Sequence, residues 1–149
     1  MAVEWEFVRA MECAITLATV RLFGERGNAT RRVMARIMVE LLHEDLPDDP
    51  REALIELLEP FAEVELEEDE LRVEGCRLCY SSLIRDVADP EELEIIRQVP
   101  PCPFVLLFNE LAKRKGWDVR MKPEVTPLSG ETEPGSCVQR LISDRSGTE

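Results

Sequence analysis

The sequence predicts an α+β fold, with N-terminal helices packed with a small antiparallel sheet and a buried central helix. Three observations carry that expectation. The first half repeats apolar residues at helical spacing behind capping residues, the stretch after Pro60 alternates with a period of two, and residues 103–115 present an almost wholly apolar helical face.

The elements follow in order. Over residues 3–23, Val8, Met11, Ile15, Ala18 and Leu22 share one stripe while Glu4, Glu12 and Arg21 lie elsewhere, which makes an amphipathic helix. Gly24 and Gly27 break it, and Asn28 or Thr30 caps a second helix to about residue 43. Val33, Ile37 and Leu41 with Met34, Met38 and Leu42 give that helix a broad apolar face. Asp48-Asp49-Pro50-Arg51-Glu52 supplies a cap, a proline at the first helical position and a reciprocal carboxylate, so a third helix runs to about residue 59. Val64 and Leu66, then Leu71 and Val73, alternate with acidic residues around Glu68-Asp69-Glu70 and predict a hairpin. Residues 76–86 show no clean period. Asp89-Pro90-Glu91-Glu92 repeats the capping chemistry and opens a short helix to about residue 99. The Pro100-Pro101-Cys102-Pro103 run ends that helix and starts the central one, whose apolar face is Phe104, Leu107, Phe108 and Leu111. Residues 117–125 and 137–142 read as strands separated by a turn-rich segment, and residues 143–149 as a frayed tail.

A chain of 149 residues that is 44% hydrophobic is one domain's worth and holds enough apolar mass for a core without staples. Glu4, Glu6, Arg9 and Glu12 interrupt every apolar stretch that a signal peptide would need, and the run Phe104 to Phe108 is far too short to cross a bilayer. A soluble, cytoplasmic protein with reduced cysteines is expected. With 31 acidic against 18 basic residues, the net charge of −13 repels phosphate backbones and anionic lipid, so neither direct nucleic-acid contact nor membrane contact is expected. The basic groups Arg31-Arg32 with Arg36, and Lys113-Arg114-Lys115, are too small to reverse this, and the second sits where cations meet the end of a helix before Gly116. Three helices followed by a hairpin mimic a winged-helix DNA binder, but the helix before the hairpin is acidic and so is the hairpin.

The chemistry-bearing residues are cysteines. Cys76-Arg77-Leu78-Cys79 places two thiols on one turn, and Cys102 and Cys137 are able to fold back and complete a tetrahedral soft-metal site, with zinc the implied cofactor. Separate buried thiols, a disulfide or one reactive cysteine are the alternatives, and Cys13 on a helix face fits the buried reading best. Cys102, at a helix N-cap next to Pro103, faces unpaired N–H groups that favour thiolate and lower its pKa. Four thiolates at about 2.3 Å from zinc would close the site, whereas three would leave an open position. His43 is the only histidine, and its place at the end of the second helix suits a structural role over ligation or catalysis. No nucleophile elbow, phosphate-cradling loop, dinucleotide fingerprint or zinc-protease motif occurs in the chain.

Over residues 20–142 the order of elements resembles the 4-vinyl-reductase-like domain family, small modules described as predicted hydrocarbon-binding proteins. The likeness rests on the turn Gly24-Glu25-Arg26-Gly27 before a helix, the acid-capped helix ending near Phe61, and the Glu-rich hairpin. It also rests on Cys102-Pro103 opening an apolar helix, on Gly116 before a strand, and on Glu131-Thr132 ahead of Gly135-Ser136-Cys137. Glu133 and Pro134 follow Thr132 where the family often has a further cysteine, and the Cys76, Cys79 pair is able to supply that thiol.

The resemblance implies a binding or sensor module for an apolar or hydrocarbon-like small molecule. The residues expected to line its pocket are Met34, Met38, Tyr80, Phe104, Leu107, Phe108 and Leu111, all of which would equally fill a core. A thiol- or metal-dependent enzyme of the vinyl-reductase-like type is the first alternative, and an acidic structural or regulatory interaction protein the second. The amphipathic helix of residues 1–23 precedes the family-like region and needs covering, so a homodimer through it is expected.

Overall fold

The computed structural model describes residues 2–143. Six helices and a four-stranded sheet follow in the order α1 (Ala2–Phe23), α2 (Arg26–Leu42), α3 (Pro50–Leu58), β1 (Glu63–Glu67), β2 (Glu70–Glu74), α4 (Ser81–Val87), α5 (Pro90–Arg97), α6 (Pro103–Lys115), β3 (Val119–Val125) and β4 (Cys137–Ser143). The α+β class expected from the sequence is the class observed. Ser143 pairs with Val119 as the last residue of β4, and the tail expected to fray beyond it lies outside the described residues.

Local chemistry accounts for most boundaries. Asp49 accepts the Glu52 N–H at 3.0 Å ahead of Pro50, and Asp89 and Glu92 close a reciprocal capping box ahead of Pro90, which fixes the starts of α3 and α5. The sheet is antiparallel throughout, in the order β1-β2-β4-β3. The β1–β2 hairpin pairs Val64 with Val73 and Leu66 with Leu71, the alternation visible in the sequence.

Helix α6 sits between the sheet and the other helices and buries two faces. Phe104, Val105 and Phe108 pack on Leu71, Val73, Met121 and Leu141 from the sheet and on Leu54 and Leu58 from α3. Leu107 and Leu111 pack the other way, on Val39 of α2 and on Ala53 and Leu57 of α3. A third cluster joins Cys13, Leu17 and Val20 of α1 to Tyr80, Ile84, Ile96 and Leu128. That cluster explains α4, which the sequence pattern did not reveal. Its seven residues are too few to show a period, and Ile84, fully buried against α1, holds the helix through tertiary contact.

Two differences from the sequence reading concern the N-terminal hairpin. Helix α2 begins at Arg26, so Gly27 lies inside it; a Cβ there would stand 2.7 Å from the Thr19 carbonyl oxygen, and glycine is what lets the two backbones approach this closely. The apolar stripes of both helices also face outward. Phe7, Met11, Ile15 and Leu22 of α1 and Val33, Ile37 and Leu41 of α2 are exposed, while α2 buries Asn28, Arg31, Ala35 and Val39 instead.

Candidate functional site

The four distal cysteines share a cavity. Cys76 and Cys79, on the loop after β2, Cys102 at the N-cap of α6, and Cys137 at the start of β4 all line one cavity of about 50 Å³, with Tyr80, Phe104 and Met121 among its walls. Strand pairing brings two of the segments together. Val73 is opposite Cys137 in register, the Cys76 N–H donates to the Gly135 carbonyl at 2.9 Å, and Gly135 has φ +85° with Cys76 backbone atoms 3.0 Å from where a Cβ would stand. Only glycine satisfies both the angle and the approach at that point.

The third segment is tied down by two buried polar side chains. Tyr80 donates its hydroxyl hydrogen to the Pro101 carbonyl and lies 3.0 Å from the Thr16 hydroxyl. The Arg31 guanidinium donates to the carbonyls of Pro100 at 3.0 Å, Val99 at 3.0 Å and Ile96 at 3.3 Å, and to the Asn28 side chain at 2.7 Å. Together they fix the proline run that delivers Cys102. Arg31 therefore acts from inside the fold, whereas the sequence suggested a surface cation.

All five cysteines are free thiols. Burial pushes the Cys102 thiol up, with the neighbouring Cys137 adding to it, and one hydrogen bond from the Val105 backbone only partly opposes them. This reverses the thiolate expected at a helix N-cap: desolvation outweighs the helix-end field. Burial likewise pushes Cys137 up to about 11 against a hydrogen bond from Gln139, and it raises Cys76. Each of these three thiols is further raised by other members of the cluster, so the charges that would form are mutually close. Among the described residues no group of three or more His, Cys, Asp or Glu side chains is placed to hold a metal ion.

The other residues expected at the site divide between two places. Tyr80 and Phe104 line the cysteine cavity. Met34, Met38 and again Tyr80 line a second recess of about 120 Å³ between α1 and α2. Phe108 is fully enclosed in the cluster against the sheet, and Leu107 and Leu111 lie in the cluster against α2 and α3. Cys13 is buried on α1, as its position suggested, and His43 ends α2 with Nδ1 3.0 Å from the Val39 carbonyl oxygen and Nε2 3.3 Å from Arg114. Gln139 was missed. It is buried, lines the cysteine cavity and donates to the Cys137 sulfur at 3.2 Å; the period of two along Cys137, Gln139 and Leu141 was the signal that would have found it.

Other expected features find partners. Lys113, Arg114 and Lys115 pair with Glu110, Glu40 and Asp48, and Arg36 pairs with Glu110, so both basic groups are largely consumed by local bonds. No helix among the described residues is long and apolar enough to cross a membrane. Comparison with known proteins returned no matching family model, no matching curated protein and no matching solved structure.

Proposed function

We propose that this chain is a ligand-binding or sensor module of the 4-vinyl-reductase-like type, built around a cysteine cavity that takes zinc. The observation carrying the reading is that Cys76, Cys79, Cys102 and Cys137, from three separate segments, line one small cavity. Its size selects the guest. At about 50 Å³ it has room for an ion or one or two waters of about 30 Å³ each, and none for the organic molecules that fill pockets of about 300 Å³ and more. The donor set fits a soft dication, which displaces thiol protons and offsets the cost of buried negative charge. Four sulfurs would make a closed site. Gln139, donating to the Cys137 sulfur, would orient one ligand from behind.

Burial that holds Cys76, Cys102 and Cys137 protonated disfavours the thiol-dependent enzyme, because the nucleophile is the thiolate. Binding is the better reading. The apolar ligand implied by the family likeness has its larger space in the recess that Met34, Met38 and Tyr80 share.

The module works in the cytoplasm as a homodimer through α1 and α2. Their outward stripes carry no charge, so two copies of a chain with a net charge of −13 meet there without facing like charges, and two helical hairpins paired about a two-fold axis form a four-helix bundle.

Elemental analysis of protein purified without chelator or affinity metal tests the central claim. About one zinc per chain is expected, and a Cys102→Ser protein should lose both metal and thermal stability. Protein that carries no metal and takes none up from added zinc would leave only a thiol cluster.

A further inference from the structure

The recess between α1 and α2 differs in chemistry from the cysteine cavity. Ile15, Met34, Met38 and Leu106 give it apolar walls, while Glu12, Thr16, Arg31 and Tyr80 bring polar groups to it. Two of those groups are incomplete. Arg31 is 5% exposed and four of its bonds go to carbonyl oxygens, yet its Nε–H is sealed from solvent with no hydrogen-bond partner. Glu12 presents the complementary case: its Oε2 is equally sealed and equally unpartnered. A buried guanidinium cannot shed its proton as a lysine would, so its charge asks for an anion. Among the described residues Arg31 has no carboxylate partner; its neighbours are backbone carbonyls, Asn28, Tyr80 and Arg32.

We infer that this recess binds a short-chain monocarboxylic acid, its carboxyl group bridging Arg31 and Glu12 and its alkyl tail lying on Met34 and Met38. One carboxyl oxygen accepts from the Arg31 Nε–H. The other shares a single proton with Glu12 Oε2, so two carboxyl groups and one proton carry one negative charge against one guanidinium. Burial that pushes the Glu12 carboxyl to about 7 keeps that proton within reach near neutrality. Size limits the tail: about 120 Å³ corresponds to about four waters of about 30 Å³, which suits an acid of about six heavy atoms rather than a long fatty acid. The inference rests on the reading of the chain as a small-ligand module and names the class of that ligand.

Butyrate, butyramide and 1-butanol, titrated into the full chain and followed by amide-resolved NMR, separate the possibilities. Butyrate should bind about tenfold or more tighter than either neutral analogue, with shifts centred on Glu12, Arg31 and Met38, because a charge-assisted bond is replaced by a neutral one. Arg31 also holds the carbonyls of Ile96, Val99 and Pro100, so loss of binding in an Arg31→Met protein does not separate a lost contact from a lost fold. Met38→Trp avoids that difficulty: Met38 is 38% exposed and lines the recess, so a larger ring there is expected to fill the space while Arg31 and Glu12 stay in place. It should abolish butyrate binding and keep a dispersed spectrum. Neutral analogues binding as tightly as butyrate would overturn the carboxyl assignment while leaving a ligand module. Unchanged butyrate binding in Met38→Trp, or no binding by wild type up to about 10 mM, would overturn the site itself. Zinc content of the same samples judges the cysteine cavity separately.

Discussion

Helix α6 and the α1–α2 hairpin both carry strong apolar stripes, and the fold treats them oppositely. Every large apolar side chain on α6 except the half-buried Leu106 is buried, with Phe108 and Leu111 at 0% exposure, whereas Leu22 is 75% exposed, Leu41 74% and Phe7 66%. What the hairpin turns inward mixes apolar Leu17, Val20 and Val39 with polar or small Thr16, Asn28, Arg31 and Ala35. An apolar period therefore marks a helix face without saying that the chain's own core covers it. On α6 the cover is the rest of the chain. On the hairpin the outward stripe is left uncovered by the described residues, and the polar groups behind it, Thr16, Asn28 and Arg31, are tied by hydrogen bonds to Tyr80 and to residues 95–100.

The largest effect should separate the two regions directly. Phe108→Ala removes a ring enclosed by the sheet, α3 and Trp117, whose ring centroid is 5.9 Å away, and should cost about 3–5 kcal/mol in denaturant unfolding. Leu41→Ala, an apolar truncation on the hairpin, should cost no more than about 0.5 kcal/mol in dilute protein. Comparable losses at the two positions would erase the distinction.

Which parts were legible in the sequence follows the same division. Capping at Asp49 and Asp89 is local chemistry, written within four residues, and it fixed two helix starts. The β1–β2 hairpin announced itself by alternation. The C-x-x-C turn and the N-cap cysteine are also local features, and with Cys137 they are the cysteines that line one cavity. The illegible parts depend on contacts between distant positions. Arg31 grips the Pro100 carbonyl, Tyr80 reaches back to Thr16, and Ile84 makes a helix of a segment without a period. The direction in which α1 faces was hidden for another reason: its strongest stripe points away from its own core, so the residues that do pack, Cys13, Leu17 and Val20, look secondary.

A smaller effect sharpens the polar half of the comparison. Burial raises the Glu12 carboxyl from about 4.5 in the unfolded chain to about 7 in the fold, so the folded state holds the extra proton between those values. The stability this proton linkage contributes is fully present below about 4.5 and is lost as pH rises through about 7. Tyr80 and Cys76, which feel the Glu12 charge, are themselves raised by burial and stay protonated throughout this window. Glu12→Gln removes the linkage. Relative to wild type it should gain about 1–3 kcal/mol between pH 5 and pH 8, a range discounted for partial exposure, measured as the difference between the two unfolding curves. A constant difference across that range would mean that Glu12 is solvated and ionises normally.

The smallest effect on the fold, and the one that bears on the outward stripes, belongs to Ile37→Glu. Ile37 is 55% exposed, so a carboxylate there enters solvent and should change the stability of dilute protein by no more than about 0.5 kcal/mol. In a four-helix interface the same carboxylate is desolvated against its two-fold copy, and association should weaken by about tenfold or more. Sedimentation velocity should find a wild-type dimer and a variant monomer with the same circular dichroism. Ile15, Met34 and Met38 are exposed on this face and also line the recess, so a second copy docked here would roof that recess. Wild-type protein that stays monomeric at about 100 µM would remove both the dimer and the roof.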